Sequence, residues 1–366
     1  MREPSLAARQ IWRTVTIALA VSVVLPPFAA AQPEPTLPEL ADRLDGLVRL
    51  YRTESIDRAV DGLAEFVVLK RSRAAAQRWF SVPEHPSAER RAQLEAGLML
   101  YSESLGRIWW NELHPYGPAS PYIPTLIDLE ERLRDLDRDS PFLRNWYLYW
   151  EAFGHAVVSR PLPPALDFLD EALRAFPDDS DVLMAAGSRF ELRWWFADEN
   201  GHRDPRPSGA ANDGLLVRAR DYLRRGVAAD PTHIEARLRF VRVLLELNDL
   251  DAASQAVATP HWSSPDPTMA YLASLFEGEL RQRQGNYEAA VRSYESAIAK
   301  SAQAQSARVA RAHLEHTMGS RADAAAIVIE GVSSASTEND PWWVYVRGQL
   351  WHFDGHLRRL RLMVRR

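Results

Sequence analysis

Residues 284–300 read QGNYEAAVRSYESAIAK, with Gly285, Ala290 and Ala297 alternating with Tyr287 and Tyr294. Counting from Tyr271 as position 1 puts Gly278 at position 8, Gly285 at 15, Tyr287 at 17, Ala290 at 20, Tyr294 at 24 and Ala297 at 27. This spacing has a physical reading as two helices and a turn. Small residues at 8 and 20 let the two helices cross closely. Aromatic residues at 17 and 24 fill the wedge beside the crossing. Glycine at 15 supplies a left-handed turn.

The register recurs along the chain. Thirty-four residues further on come Ala312 (8), Gly319 (15), Ala324 (20), Val328 (24) and Gly331 (27). Upstream, LNDLDAASQAV places Asn248 at 15, Leu250 at 17, Ala253 at 20 and Val257 at 24. LVRARDYLRRGVAADP places Ala219 at 20, Leu223 at 24, Gly226 at 27 and Pro231 at 32, and its first helix, DVLMAAGSRFEL, has Gly187 at 8. The earliest unit ends in PALDFLDEALRAFP, with Ala165, Leu169, Ala172 and Pro177 in the same register, after the helix FLRNWYLYWEAFGHAV. The pattern resembles the tetratricopeptide (TPR) repeat, a helix–turn–helix unit of about 34 residues. It spans roughly Pro141 to Val332 in about five units. Glu277 and Arg281 stand at positions usually apolar in that family, and Ala302 replaces its usual proline.

The resemblance implies an all-α chain wound as a right-handed α-α superhelix, with the first helix of each repeat lining a concave groove. By position in the repeat, the groove would be lined by Trp150, Met184, Ser188, Glu191, Glu235, Leu238, Arg242, Glu246, Leu275, Glu279, Arg283, His313 and His316. This mixture of acidic, basic and apolar groups fits a peptide with both charges and apolar anchors better than a simple carboxylate clamp.

Apolar residues outside the register also recur at three- and four-residue spacing, and there is almost no strand signal. Three or four helical segments are expected, near 38–52, 55–80, 87–112 and 123–137, with Ala59 and Gly97 as candidate small crossing residues of degenerate repeats. The chain thus divides into 1–31, an N-terminal helical region at 32–140, a repeat array at 141–335 and a C-terminal capping helix at 336–366. The loop ADENGHRDPRPSGAANDG, 197–214, interrupts one repeat and reads as a flexible or docking insertion. At the end, Asp340 and Pro341 start a helix. Trp342, Trp343, Val346, Leu350 and Leu357 are expected to cover the open face of the last repeat around Ala324 and Val328.

The N-terminus, MREPSLAARQIWRTVTIALAVSVVLPPFAAAQPEP, carries Arg2, Arg9 and Arg13, a short apolar run from Thr14 to Val24, and Ala29-Ala30-Ala31. It reads as a secretory signal cleaved after Ala31. Pro26-Pro27 interrupt the run, which is shorter than the roughly 20 residues of a spanning helix. The expected compartment is therefore the periplasm or the extracellular space. The chain has 366 residues, 46% of them hydrophobic, and no cysteine, which excludes disulfides, thiol nucleophiles and cysteine zinc sites. Its formal net charge of -5 offers no basic field for nucleic acid.

No HExxH, Walker glycine loop or GxSxG elbow is present. His313 with His316, and His352 with His356, share helix faces, but two ligands do not close a zinc site. No cofactor or metal is expected. Three tryptophan pairs, 109–110, 194–195 and 342–343, read chiefly as wedges between helices, with an aromatic groove as the functional alternative. The leading expectation is an exported non-catalytic scaffold that binds a protein or peptide on its concave face. A solenoid enzyme acting on cell-wall glycan or peptide is the rival, using Glu191 beside Trp194 and Trp195. The third reading is an envelope-assembly protein docked at the membrane surface by the arginine-rich tail HLRRLRLMVRR.

Overall fold

The computed structural model describes residues 34–81, 85–112, 121–154, 167–195, 210–334, 340–346 and 353–365. The expected signal segment, Ala165, most of the insertion at 197–214, Leu350 and His352 lie outside the described residues. The described chain is an all-α, TPR-like superhelix without strands. Its N-terminal region holds α1 (Leu37–Thr53), α2 (Ile56–Val67), α3 (Ser72–Phe80), α4 (Ala88–Glu112) and α5 (Tyr122–Leu136). The repeats follow as pairs: α6 (Pro141–Phe153) with α7 (Leu169–Ala175), then α8 (Ser180–Trp195) with α9 (Ala210–Ala229). They continue with α10 (Ile234–Glu246) and α11 (Leu250–Val257), α12 (Pro267–Arg283) and α13 (Tyr287–Lys300), and α14 (Ser306–Thr317) and α15 (Arg321–Ser334). The tail contributes α16 (Pro341–Val346) and α17 (Phe353–Val364). One buried apolar cluster runs from Leu40 to Val364.

The repeat register is visible in the backbone. Position 15 is left-handed in three successive repeats, with φ of 57° at Asn248, 75° at Gly285 and 91° at Gly319. The crossing is equally regular. A Cβ on Gly278 would lie 2.4 Å from the Tyr294 ring, and one on Gly187 would lie 2.4 Å from Leu223, so position 8 is small because position 24 fills its space. Ala290, Tyr294 and Ala297 are buried. Tyr287 departs from the expectation. It is 40% exposed and fills no wedge. The polar departures Glu277 and Arg281 pair at 3.5 Å and line a polar hollow with Arg292 and Ser296.

Two boundaries differ from the sequence reading. The segment expected at 55–80 is two helices, because the apolar stripe of α2 (Ala59, Val60, Leu63, Phe66, Val67) would next require apolar residues near Lys70 and Arg71. The chain instead turns through Arg71 at φ 70°, and α3 restarts with its own stripe of Ala75, Ala76, Trp79 and Phe80. Helix α9 begins at Ala210, so the last residues read as insertion loop are helical. Gly97 does make a close approach: the Trp79 ring lies 2.9 Å from where its Cβ would be.

The tail is the largest difference. It is helical and packs on the array, but not over the last repeat, where Val328 and Ile329 stay 48% and 69% exposed. Helix α16 lies against α12, and α17 against α6 and α4. Leu360 and Val364 are fully buried there. Arg361 Nε donates to Glu103 at 2.8 Å, and Arg52 Nε donates to the Val364 carbonyl at 2.9 Å. The amphipathic stripe of α17 finds an apolar seat beside Glu103 and Asn145 on the N-terminal half. That seat supplies partners for Arg359 and Arg361 as well as cover for Leu360 and Val364.

Candidate functional site

The first helices of three repeats, α8, α10 and α12, share an inner face, and α10 is the reason it is charged. In IEARLRFVRVLLE, nearly every residue is buried, including Arg239 and Arg242. Burying a guanidinium costs several kcal/mol unless carboxylates meet it. Arg239 Nε donates to Glu235 and its Nη1 to Glu191, each at 2.9 Å. Arg242 donates to Glu279 at 3.0 Å and pairs with Glu246, while Arg283 donates to Glu279 at 2.6 Å. The result is a ladder of alternating charge across α8, α10 and α12.

The ladder sets its own protonation. Burial alone would lower the Arg239 guanidinium, but Glu235 and Glu191 outweigh it and hold it above the usual range. Burial pushes the Glu191 carboxyl up against the pull of Arg239. Burial would raise Glu279 too, yet Arg242 and Arg283 together hold it below the usual carboxylate range.

Residues 340–346 lie on this face. The Tyr345 hydroxyl donates to Glu191, and its ring lies 4.6 Å from the Arg239 guanidinium. Burial, then the nearby Glu191 charge, push that phenol far above its ordinary pKa. The Arg242 guanidinium sits 5.3 Å from both the Trp195 and the Trp342 ring. Trp342 stacks on Tyr345 at 5.6 Å, and Phe276 of α12 meets both rings edge-on. Asp340, fully buried, caps two helices. It accepts from the backbone of Trp342 at 3.0 Å in its own helix, and from the Gln305 and Ser306 amides of α14 at 3.0 and 2.7 Å. Its carboxylate also accepts from the Tyr271 hydroxyl at 3.3 Å. Gln305 offers α14 no side-chain cap of its own.

The sequence-derived groove residues divide into four groups. Glu191, Glu235, Arg242, Glu246, Glu279 and Arg283 come together in the ladder. Met184, Ser188, Leu238 and Leu275 are buried beside or beneath it. Trp150 is 1% exposed within the aromatic cluster of α6, near Trp146 and Phe153. His313 and His316 are exposed on α14 and stand apart. Of the 342–343 pair, Trp342 turns inward and Trp343 is 38% exposed. Sequence reasoning missed Arg239, Tyr271 and the inward role of Asp340, Trp342 and Tyr345. A signal for Arg239 was present: Glu235–Arg239 and Arg242–Glu246 are i,i+4 pairs of opposite sign on a helix whose other residues, Arg237 apart, are apolar.

Among the described residues, no group of three or more His, Asp or Glu side chains is placed to hold a metal, and no helix is long and apolar enough to cross a membrane. A tetratricopeptide repeat family model matches residues 211–273, from α9 into α12. No curated protein sequence matches the chain. Similar solved structures include "MamA MSR-1 C2", 14% identical over 54% of this chain and 95% of that one, with a TM-score of 0.38. Yeast Tom70 is 14% identical over 87% of this chain and 80% of that one, with a TM-score of 0.33. The APC/C hetero-tetramer Cut9-Hcn1 is 15% identical over 90% of this chain and 74% of that one, with a TM-score of 0.30.

Proposed function

We propose that this chain is an exported, non-catalytic scaffold that holds a protein or peptide partner on the inner face of its repeats. The observation that carries the reading is residues 340–346: a short segment with an acidic start and two inward rings is bound there through contacts a separate peptide could make. The repeat register and the match to the repeat family support the same reading. Glu191 does not favour the enzyme alternative, because its carboxyl is buried between Arg239 and Tyr345 rather than open to a substrate. The membrane-docking alternative loses charges it would need, since Arg361 is committed to Glu103 and Arg359 donates to Asn145 at 3.2 Å.

The test is a pull-down from envelope extract with residues 32–366, followed by mass spectrometry. A scaffold recovers a defined protein partner; repeated recovery of none contradicts the reading. Export is checked in the same cells. The protein should begin at Gln32, and an intact Met1 in the membrane fraction would favour an uncleaved anchor.

A further inference from the structure

Resting on that scaffold reading, we propose that Asp340–Val346 is a built-in ligand that keeps the inner face closed, and that the external partner is a segment of the same chemistry. That chemistry is a carboxylate residue followed by Trp two positions later and Tyr five positions later, in a helix of fewer than two turns. A tail serving only to cover apolar surface would lie on the open end of the array, where Val328 and Ile329 remain exposed. Residues 340–346 instead seek polar partners. Asp340 supplies the α14 cap that Gln305 does not, Tyr345 meets Glu191, and Trp342 meets Arg242. A helix of six residues does not persist in water by itself, so α16 owes its shape to the face it occupies.

The fit is also incomplete. Arg239 Nη2 and Arg242 Nε are buried and find no acceptor among the described residues. A buried donor left unmade is unfavourable. An external segment that repeats the Asp, Trp and Tyr contacts and adds one acceptor near the two arginines would satisfy what the tail does not. Five residues, 335–339, separate α15 from Asp340, and tethering through so short a segment gives the tail an effective concentration on the order of millimolar. A partner therefore competes with the tail rather than entering an empty face.

The test uses residues 32–366 and a Trp342→Ala/Tyr345→Ala variant of the same chain, which keeps α17. The probe is a fluorescein-labelled synthetic peptide of residues 338–347, ENDPWWVYVR, followed by anisotropy. The variant should bind it at least about tenfold more tightly than the parent protein. The same peptide carrying Asp340→Asn and Tyr345→Phe should bind the variant at least about tenfold more weakly. Equal affinity in parent and variant, or equal affinity for the two peptides, overturns the proposal. So does a concentration-dependent dimer that the peptide fails to dissociate, because the occupant would then be a second copy of the chain. Should the variant not fold, hydrogen exchange on the parent protein decides. Amides of α16 that exchange faster than those of α8 and α12 support a releasable tail, and equal protection overturns it. The titration needs no recovered partner. A failed pull-down with a positive titration rejects only the scaffold reading, and a successful pull-down with a flat titration rejects only the tail's role.

Discussion

Single residues carry the repeat by the space they leave. Gly278 is small because Tyr294 fills its place, and Ala290 is fully buried beside the same crossing. Ala290→Leu should overpack this contact and cost about 1–3 kcal/mol. The exposed Glu288→Gln should change stability by no more than about 0.5 kcal/mol. Denaturant melts that find Ala290→Leu neutral would remove the register. A second residue reports through pH. Burial raises the Glu95 carboxyl to about 7, against the opposing pull of Arg91. The folded chain therefore keeps a proton that the unfolded chain releases near pH 4.5. Stability held below that pH is lost as pH rises towards 7 and is flat beyond it. Glu95→Gln has no charge to bury, so its stability relative to the parent should grow between pH 5 and 7.5. Parallel melts that show a constant difference across this range would contradict the burial argument.

At the scale of elements, the sequence was most legible where one residue answers one geometric need. Position 15 needed a left-handed backbone, and Asn248, Gly285 and Gly319 announced it. The break between α2 and α3 was hidden, because no Gly or Pro marks it; the signal is only a change in the phase of the apolar stripe. Arg71 pays for the missing glycine with φ 70°. Arg71→Gly should stabilise the chain by about 0.5–1 kcal/mol in thermal melts, because relief of the left-handed strain, roughly 1–2 kcal/mol, exceeds glycine's entropy cost of roughly 0.5–1 kcal/mol. A loss of stability would mean that the Arg71 side chain contributes more than its backbone costs. The destination of α16 was hidden for a different reason. The sequence reading placed Trp342 over the end of the array and gave Tyr345 no role, since an apolar stripe alone does not tell the end of the array from its inner face. What decides is the charge ladder on α10, whose Arg239 and Arg242 offer aromatic rings a cationic floor.

For the molecule as a whole, the tail joins the two ends of the superhelix. Asp340 is tied to α14 near one end, while Arg361 and Val364 are tied to Glu103 and Arg52 near the other, and α16 touches the inner face between them. The inner face of the repeats is thus occupied by the chain itself. Because the chain has no native cysteine, one introduced pair can test this path without background. The measurement is intramolecular cross-linking by a short bis-maleimide at high dilution, comparing Glu103→Cys/Arg361→Cys with Val328→Cys/Arg361→Cys. A tail returning to the N-terminal half predicts efficient cross-linking of the first pair and none of the second. Cross-linking of the second pair and not the first would place α17 over the last repeat and contradict the return of the tail to the N-terminal half.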